Sequence, residues 1–224
     1  GSPPDLLDLL IAGEDPDTQR RMRTPEIRDN LLTFIVAGHE TTALTLAWAL
    51  YLCAFDPDVQ EAAGEEARRV LGARAATAGD VAALPAIRAI VDETLRLYPP
   101  VPMMVRETTC PEQFRDRAVR PGAQVVISPW HLHRQERLWD NPDGFDPARW
   151  NTDNGRTCMR DAFIPFSAGA RVCTGAGFAM VEGPLILSMI LRHFRIEPVG
   201  PPPVPVAHLT VRSENGIHLR LTRR

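Results

Sequence analysis

The feature that most constrains this fold is one helical pattern, which begins at Thr24 and continues to about Phe55. Thr24 is a suitable N-cap, and Pro25 suits the first helical position. At about 1.5 Å per residue such a helix is roughly 45 Å long, enough to cross a whole domain. Residues 31–55 are largely apolar, but residues 38–42 place polar and charged groups in the middle of the run, where lipid would make them costly. The pattern therefore predicts a buried central helix rather than a membrane span.

A second constraint is a glycine-bracketed cysteine loop at residues 166–175, FSAGARVCTG, which is followed directly by an apolar helical run. Gly169 and Gly175 allow tight turns and a close approach of the backbone to a flat ligand. Because Cys173 lies just before a helix N-terminus, the unpaired N–H groups there favour its thiolate. An anionic sulfur on such a platform suits thiolate ligation of haem iron, and Arg171 is close enough in sequence to meet an anionic group of the haem. The alternative is a buried structural cysteine in a glycine-rich turn.

Four motifs follow one another along the chain: AGHETT at 37–42, ETLR at 93–96, FDPARW at 145–150 and the cysteine loop at 166–175. They stand in the order that they have in the cytochrome P450 family, which this chain resembles over nearly its whole length. The interval between Thr41 and Glu93 is more similar to that of the fatty-acid-hydroxylase and microsomal branch than to that of the shortest bacterial members. Family members carry a long segment before the central helix, so the chain resembles the C-terminal half only, with the N-terminal half absent.

The resemblance implies a mainly α fold with small β-sheets, in which residues 1–224 form the C-terminal, haem-binding part of the P450 fold. The expected elements are the central helix at about 25–55, the E-x-x-R helix at about 85–97, the haem loop at 166–175 and a C-terminal hairpin at about 207–222. The hairpin is predicted from Asn215-Gly216, which separates two strand-like segments. Residues 140–165 show little periodicity and are expected to form either an ordered loop packed on the core or a flexible one. Pro184 lies within the helix after Cys173 and should kink it.

The resemblance also implies a set of haem contacts. Cys173 would ligate the iron of haem b. The other implied cofactor-binding residues are Gly38, Arg106, Phe166, Gly169, Arg171 and Gly175. Arg106 and Arg171 would bind the haem carboxylates, Gly38 would let the haem come close to the central helix, and Phe166 would limit the solvation of the thiolate. For Arg106 the alternative is a surface ion pair.

Glu40 and Thr41 stand where the family has its catalytic acid–alcohol pair. Oxygen activation needs two protons, which a hydroxyl can relay through water and a nearby carboxylate can supply. A hydrogen bond from Thr41 to the carbonyl group of Ala37 would also distort the helix and leave room for oxygen. The alternative is that Thr41 and Thr42 only bond to carbonyl groups within the helix.

Glu93 and Arg96 are three residues apart on one predicted helix, so their side chains share a face. Apolar neighbours on this helix indicate that the face is at least partly buried. The resemblance implies that Arg149 joins them in a triad that stabilises the core and takes no part in catalysis. An exposed helical ion pair, which contributes only a few tenths of a kcal/mol, is the alternative.

The resemblance implies a haem-thiolate monooxygenase that inserts one atom of dioxygen into an apolar organic substrate. Electrons would come from a ferredoxin, a flavodoxin or a diflavin reductase, since the chain has no flavin or iron–sulfur motif. The alternatives are a peroxygenase or isomerase that needs no electrons, and a non-catalytic or partner-dependent half-chain. A half-chain would expose apolar surface at residues 31–37 and 43–55 and could self-associate.

Composition and charge bear on which other kinds of function the chain could have. The net charge is −3, which gives no electrostatic support for nucleic-acid binding. All 25 basic residues are arginine, for which a GC-rich genome is the expected cause. The four cysteines have neither C-x-x-C pairing nor zinc-site spacing, and no secretory signal opens the chain. We therefore expect a cytoplasmic protein of bacterial type.

Overall fold

The computed structural model describes residues 3–224, and the chain divides into one unit that ends at Glu40 and a second unit from Thr41 to Arg224. The predicted class is confirmed, because the described residues are mainly helical with small antiparallel sheets. Their helices are α1 (Leu6–Ala12), α2 (Thr24–Phe55), α3 (Pro57–Leu71), α4 (Pro85–Leu97), α5 (Pro129–Leu132), α6 (Asp153–Asp161) and α7 (Ala176–His193). Their 3₁₀ turns are Ala78–Ala83, Pro147–Asn151 and Gly169–Arg171.

The strands within residues 3–224 form two-stranded antiparallel sheets. They are β1 (Met104–Glu107), β2 (Glu112–Phe114), β3 (Arg117–Val119), β4 (Gln124–Ile127), β5 (Phe194–Pro198), β6 (Pro205–Ala207), β7 (Val211–Ser213) and β8 (Leu219–Arg223). Strand β1 pairs with β4, β2 with β3, β5 with β8, and β6 with β7. None of the helices in the described part of the chain has an apolar stretch of the length and hydropathy that a membrane span requires.

The first unit contains α1 and the beginning of α2. Asp5 and Asp8 form a reciprocal capping box that fixes the start of α1. On the early part of α2, Leu32, Ile35 and Val36 are all more than half exposed. The expected apolar surface is therefore present in this part of the central helix.

The second unit has its core between α3, α4, α7 and the end of α2. Here the expected exposure of residues 43–55 is wrong for most of the run, because its side chains other than Ala43 and Phe55 are buried or partly buried. Trp48 is buried, stacks on Tyr98 with ring centroids 3.9 Å apart, and donates a hydrogen bond to the carbonyl oxygen of Val211. Ala49 and Cys53 are fully buried, and burial raises the pKa of the Cys53 thiol to about 12. Cys53 is therefore an inert core thiol.

Two polar side chains of α3 connect the core helices. Glu66 accepts hydrogen bonds at 3.0 Å from the backbone N–H groups of Ala86 and Ile87, and so caps a helix, α4, that has no side-chain cap of its own. Gln60 bonds to the carbonyl oxygen of Cys53 and to both the N–H and the C=O groups of Ile196. These bonds fix α4 and β5 against α3, and α4 carries two residues of the predicted triad.

The predicted C-terminal hairpin does not form, because each of its two segments pairs with a different strand. Strand β7 pairs with β6 and strand β8 pairs with β5, so the segments on either side of Asn215-Gly216 do not pair with each other. A type I′ turn needs positive φ at both central residues, but only Gly216, at +79°, has it. The Asn215 side chain instead accepts a hydrogen bond from the N–H of Val204 and donates one to the carbonyl of Pro202. Asn215 therefore anchors the proline-rich segment at residues 201–205.

The segment at 140–165 contains helical structure where a loop was predicted. It contains the 3₁₀ turn Pro147–Asn151 and helix α6, which Thr152 caps by accepting a bond from the N–H of Gly155. The helix lacked apolar periodicity because only Gly155 and Cys158 are buried on it. Helix α7 continues through Pro184 as one helix, and Pro184 itself is buried.

Candidate cofactor-binding site

The structure brings Glu93, Arg96 and Arg149 together in the interior. The Glu93 carboxylate accepts hydrogen bonds from Arg96 at 2.8 and 3.0 Å and from Nε of Arg149 at 2.9 Å. Glu93 and Arg96 are fully buried, and Arg149 is nearly so. The backbone N–H of Asp146 also donates to Glu93 at 3.0 Å. A bidentate pair whose carboxylate also accepts bonds from a second arginine and a backbone N–H is the arrangement in which a buried ion pair is well compensated.

Backbone carbonyl groups take up the three remaining N–H donors of Arg96 and three of the four remaining donors of Arg149. Arg96 donates to the carbonyl oxygens of His133, Pro142 and Gly144. Arg149 donates to those of Asp140, Asn141 and Gly144. A Cβ atom at Gly155 would lie 1.9 Å from the carbonyl oxygen of Arg149, so glycine is required there. The triad thus organises the segment that leads to the cysteine loop.

His133 continues this connection toward the loop, a role that no local sequence pattern indicates. Its carbonyl oxygen accepts from Arg96, and its ring Nε2 accepts a 3.0 Å hydrogen bond from the N–H of Ile164. The carbonyl oxygen of Ile164 in turn accepts from the N–H of Ser167. The ring is fully buried, so His133 belongs to the core and not to a metal site.

Acidification should destabilise the protein through His133. Burial lowers the pKa of His133 from 6.5 to about 4. Between these values the folded state holds fewer protons than the unfolded state, so stability is lost as the pH falls from 6.5 through 4. The shift corresponds to about 3 kcal/mol. We expect His133→Gln to remove about this much of the acid sensitivity, measured as the difference in free energy of unfolding between pH 7 and pH 4.

Asp92 provides a control of opposite sign. Burial raises the pKa of its carboxyl group from 3.8 to about 6, although Arg88 opposes the shift. The folded state therefore holds more protons than the unfolded state between these values. The contribution of Asp92 to the protein's stability is lost as the pH rises through them. Asp92→Asn should make the protein more sensitive to acid, whereas His133→Gln should make it less sensitive. Equal acid sensitivity of the parent and His133→Gln would contradict the role of His133.

The cysteine loop is closed by its own backbone. The N–H of Cys173 donates to the carbonyl oxygen of Phe166 at 2.8 Å, and the N–H of Val172 donates to that of Gly169 at 3.0 Å. Gly169 has φ +68°, the left-handed conformation that glycine adopts at little cost. Gly175 is the N-cap residue of α7, two residues after the cysteine. The Cys173 thiol is exposed at the end of this closed loop, so the alternative of a buried structural cysteine does not hold.

Phe166 connects the loop to the core. Its side chain is half-buried and packs against the main hydrophobic cluster, while its carbonyl oxygen receives the Cys173 N–H. Val172, which precedes the cysteine in sequence, and Phe178, near the start of α7, are 52% and 71% exposed. An exposed thiol with apolar neighbours is a suitable surface for an apolar ligand that binds through sulfur.

Two arginines of the second unit lie on this loop or in contact with it. Nη2 of Arg106, on β1, donates a 2.7 Å hydrogen bond to the hydroxyl of Ser167. Arg171 is exposed at the end of the 3₁₀ turn within the loop. Among the residues that the structure describes, neither arginine has a carboxylate partner, so the alternative of a surface ion pair for Arg106 receives no support. Both guanidinium groups can therefore bind an added anion.

These residues fit a haem group. A Cβ atom added at Gly169 or Gly177 would meet nothing within 4 Å, and one added at Gly175 would meet only the Cys173 sulfur, at 3.9 Å. The space beside these glycines, in the loop and at the start of α7, is therefore open. In residues 3–224 no cluster of three or more histidine, cysteine or acidic side chains could hold a metal ion. A single soft thiol beside an open, partly apolar face with two arginines suits an iron porphyrin with carboxylate groups.

The predicted site residues of the central helix lie on both sides of the point in the sequence where the two units divide. Gly38 and Glu40 belong to the first unit, and Thr41 opens the second. A Cβ atom at Gly38 would meet nothing within 4 Å. Gly38 and Thr41 lie within the continuous helix α2, in which the hydroxyl of Thr45 donates to the carbonyl oxygen of Thr41 at 2.9 Å. The local distortion by a bond from Thr41 to Ala37 stays a prediction. That Gly38, Glu40 and Thr41 face a haem remains a prediction.

Comparison with known proteins agrees with the resemblance that the four motifs indicate. A family model described as cytochrome P450 matches residues 1–220. Cytochrome P450 4V2 from Pongo abelii is 38% identical over 227 aligned residues, which cover 98% of this chain and 42% of that protein. Cyclooctatin synthase from Streptomyces melanosporofaciens is 37% identical over 195 residues, covering 87% of this chain and 42% of that protein. Cyclooctat-9-en-7-ol 5-monooxygenase from the same organism is 36% identical over the same shares.

The chain thus spans less than half the length of these relatives. Its buried glutamate–arginine triad and its closed loop around an exposed cysteine lie within the part that they share with it. Since the family model matches nearly every residue, the chain belongs to the cytochrome P450 family.

Proposed function

We propose that this protein binds haem b through the Cys173 thiolate and acts as a monooxygenase on an apolar organic substrate. The observation that carries the proposal is the exposed Cys173 thiol on an open loop, next to arginines without carboxylate partners. Membership of the family supports it, and one relative bears the name of a monooxygenase. When bound, haem supplies the redox chemistry that activates dioxygen.

The protein's own groups would hold the cofactor and handle protons. Cys173 would provide the anionic sulfur ligand, while Arg106 and Arg171 would neutralise the haem carboxylates. Phe166 would keep water from the sulfur on the core side. Thr41 would hold a water through its hydroxyl group, and the carboxylate of Glu40 would supply protons to that water. Electrons would come from a ferredoxin, a flavodoxin or a diflavin reductase.

Replacing Thr41 by alanine should separate haem binding from oxygen chemistry. We expect Thr41→Ala to bind haem as the parent does, because the hydroxyl is not a haem ligand. Loss of the hydroxyl that positions the proton-carrying water should reduce product formed per reductant consumed by about tenfold or more. The measurement is the ratio of product formed, and of peroxide released, to reductant consumed, in the full-length parent protein assayed with its electron donor.

Thr42→Ala is the matched control, since it removes the neighbouring hydroxyl from the same helix. It should leave the coupling ratio near that of the parent. Equal coupling in the parent and Thr41→Ala would remove Thr41 from the proposed mechanism. If turnover proceeds with hydrogen peroxide alone and not with reductant and an electron donor, the protein is a peroxygenase instead.

A further inference from the structure

We propose that Ser167 is a positioning residue, which holds the Arg106 guanidinium at the cysteine loop so that it can bind a carboxylate group of the haem. The inference rests on the proposed function and adds to it a residue that does not itself touch the cofactor. Ser167 is the first residue inside the loop that the bond between Cys173 and Phe166 closes. It lies 61 positions from Arg106 along the chain.

The hydrogen bond between the two residues is the main observation. Nη2 of Arg106 donates to the Ser167 hydroxyl at 2.7 Å, and Nη1 donates to the carbonyl oxygen of Val105 at 3.0 Å. These bonds use two of the five N–H donors of the guanidinium and leave the others for an anion. A bond to a charged donor is also stronger than one between neutral groups. Strand β1 is thereby joined to the loop that presents the Cys173 thiol.

The backbone at Ser167 is a second, independent observation. Its φ is +66°, a left-handed conformation that favours glycine and is strained for a residue with a Cβ atom. Its N–H donates to the carbonyl oxygen of Ile164, so the turn itself is complete without the side chain. Glycine would therefore fold at this position with less strain. The serine hydroxyl contributes a contact that glycine cannot make, and that contact is with Arg106.

The test compares the 224-residue chain with its Ser167→Gly variant. This variant relieves the strain at φ +66° and removes only the hydroxymethyl group, so its urea midpoint should equal or exceed that of the parent. Each protein is titrated with haem and with haem dimethyl ester, in which both carboxylates are blocked. We expect Ser167→Gly to weaken haem binding by roughly tenfold, as loss of a bond to a charged group does, and to leave ester binding unchanged.

Arg106→Gln and the double variant complete the cycle. If Ser167 acts through Arg106, the double variant should bind haem no more weakly than Arg106→Gln alone. Ser213→Ala, which removes a serine hydroxyl whose bonds are to Asn215 and Gly216, is the matched control and should bind both ligands like the parent.

The outcomes distinguish the two proposals. Three results would overturn the role of Ser167 while leaving haem ligation intact. Ser167→Gly could weaken the binding of haem and of its ester equally, or weaken neither, or its effect on haem affinity could add to that of Arg106→Gln. A parent chain that binds neither ligand through Cys173 would overturn the proposed function, and the inference with it. A lower urea midpoint for Ser167→Gly would assign the serine to folding instead.

Discussion

Replacing Glu93 with glutamine is expected to lower the free energy of unfolding by about 3–5 kcal/mol. The carboxylate is fully buried and compensates two arginines, so its neutralisation leaves Arg96 and Arg149 as uncompensated buried charges. A typical domain has only about 5–15 kcal/mol of stability, so the variant should lose a large fraction of it. The measurement is urea unfolding followed by circular dichroism.

Glu61→Gln is the matched control, because Glu61 also bonds to two arginines, Arg68 and Arg224. Its side chain is 41% exposed, and water replaces lost ion pairs at such sites, so the expected cost is below about 1 kcal/mol. If Glu93→Gln costs no more than Glu61→Gln, the triad does not stabilise the core as we infer.

The second large effect is expected at Cys173. Cys173→Ala should lower haem affinity more than about a hundredfold, since even residues that only orient a metal ligand contribute ten- to a hundredfold. The fold should remain, because the thiol is exposed and the bond that closes the loop comes from the backbone N–H. Haem titration and unfolding of the same preparation measure the two quantities.

Cys110→Ala is the control for this variant, because Cys110 is the other exposed thiol of the described residues. It lies next to Glu112, which raises the pKa of its thiol, so it is a poor source of thiolate. Haem affinity should therefore be unchanged in Cys110→Ala. A comparable loss of affinity in both variants would assign haem binding to nonspecific thiol contacts.

Local signals were sufficient to predict much of the helical framework. Helix α4 occupies the predicted residues 85–97, because Pro85 suits the first helical position and Pro99-Pro100 cannot continue the helix. The cysteine loop and the pairing of Glu93 with Arg96 follow from spacing within one short segment. Features of this kind depend on neighbours in sequence, so a single sequence contains them.

The features that were missed depend on residues distant in sequence. Asn215 and Gly216 are typical of a tight hairpin, but the bonds of Asn215 to Val204 and Pro202 determine the local structure instead. His133 has an ordinary local sequence, and only its contact with Ile164 shows its role. The contact between Arg106 and Ser167 likewise has no local pattern, since it forms when β1 packs beside the loop.

The most direct test of the proposed haem-thiolate site is an absorption spectrum of the purified chain, reconstituted with haem, reduced and exposed to carbon monoxide. Thiolate ligation predicts the strongly red-shifted Soret band that this ligand gives, and the band should be absent in Cys173→Ala and present in Cys110→Ala. A spectrum without the red-shifted band in the parent chain, or with the same band in Cys173→Ala, would contradict the account.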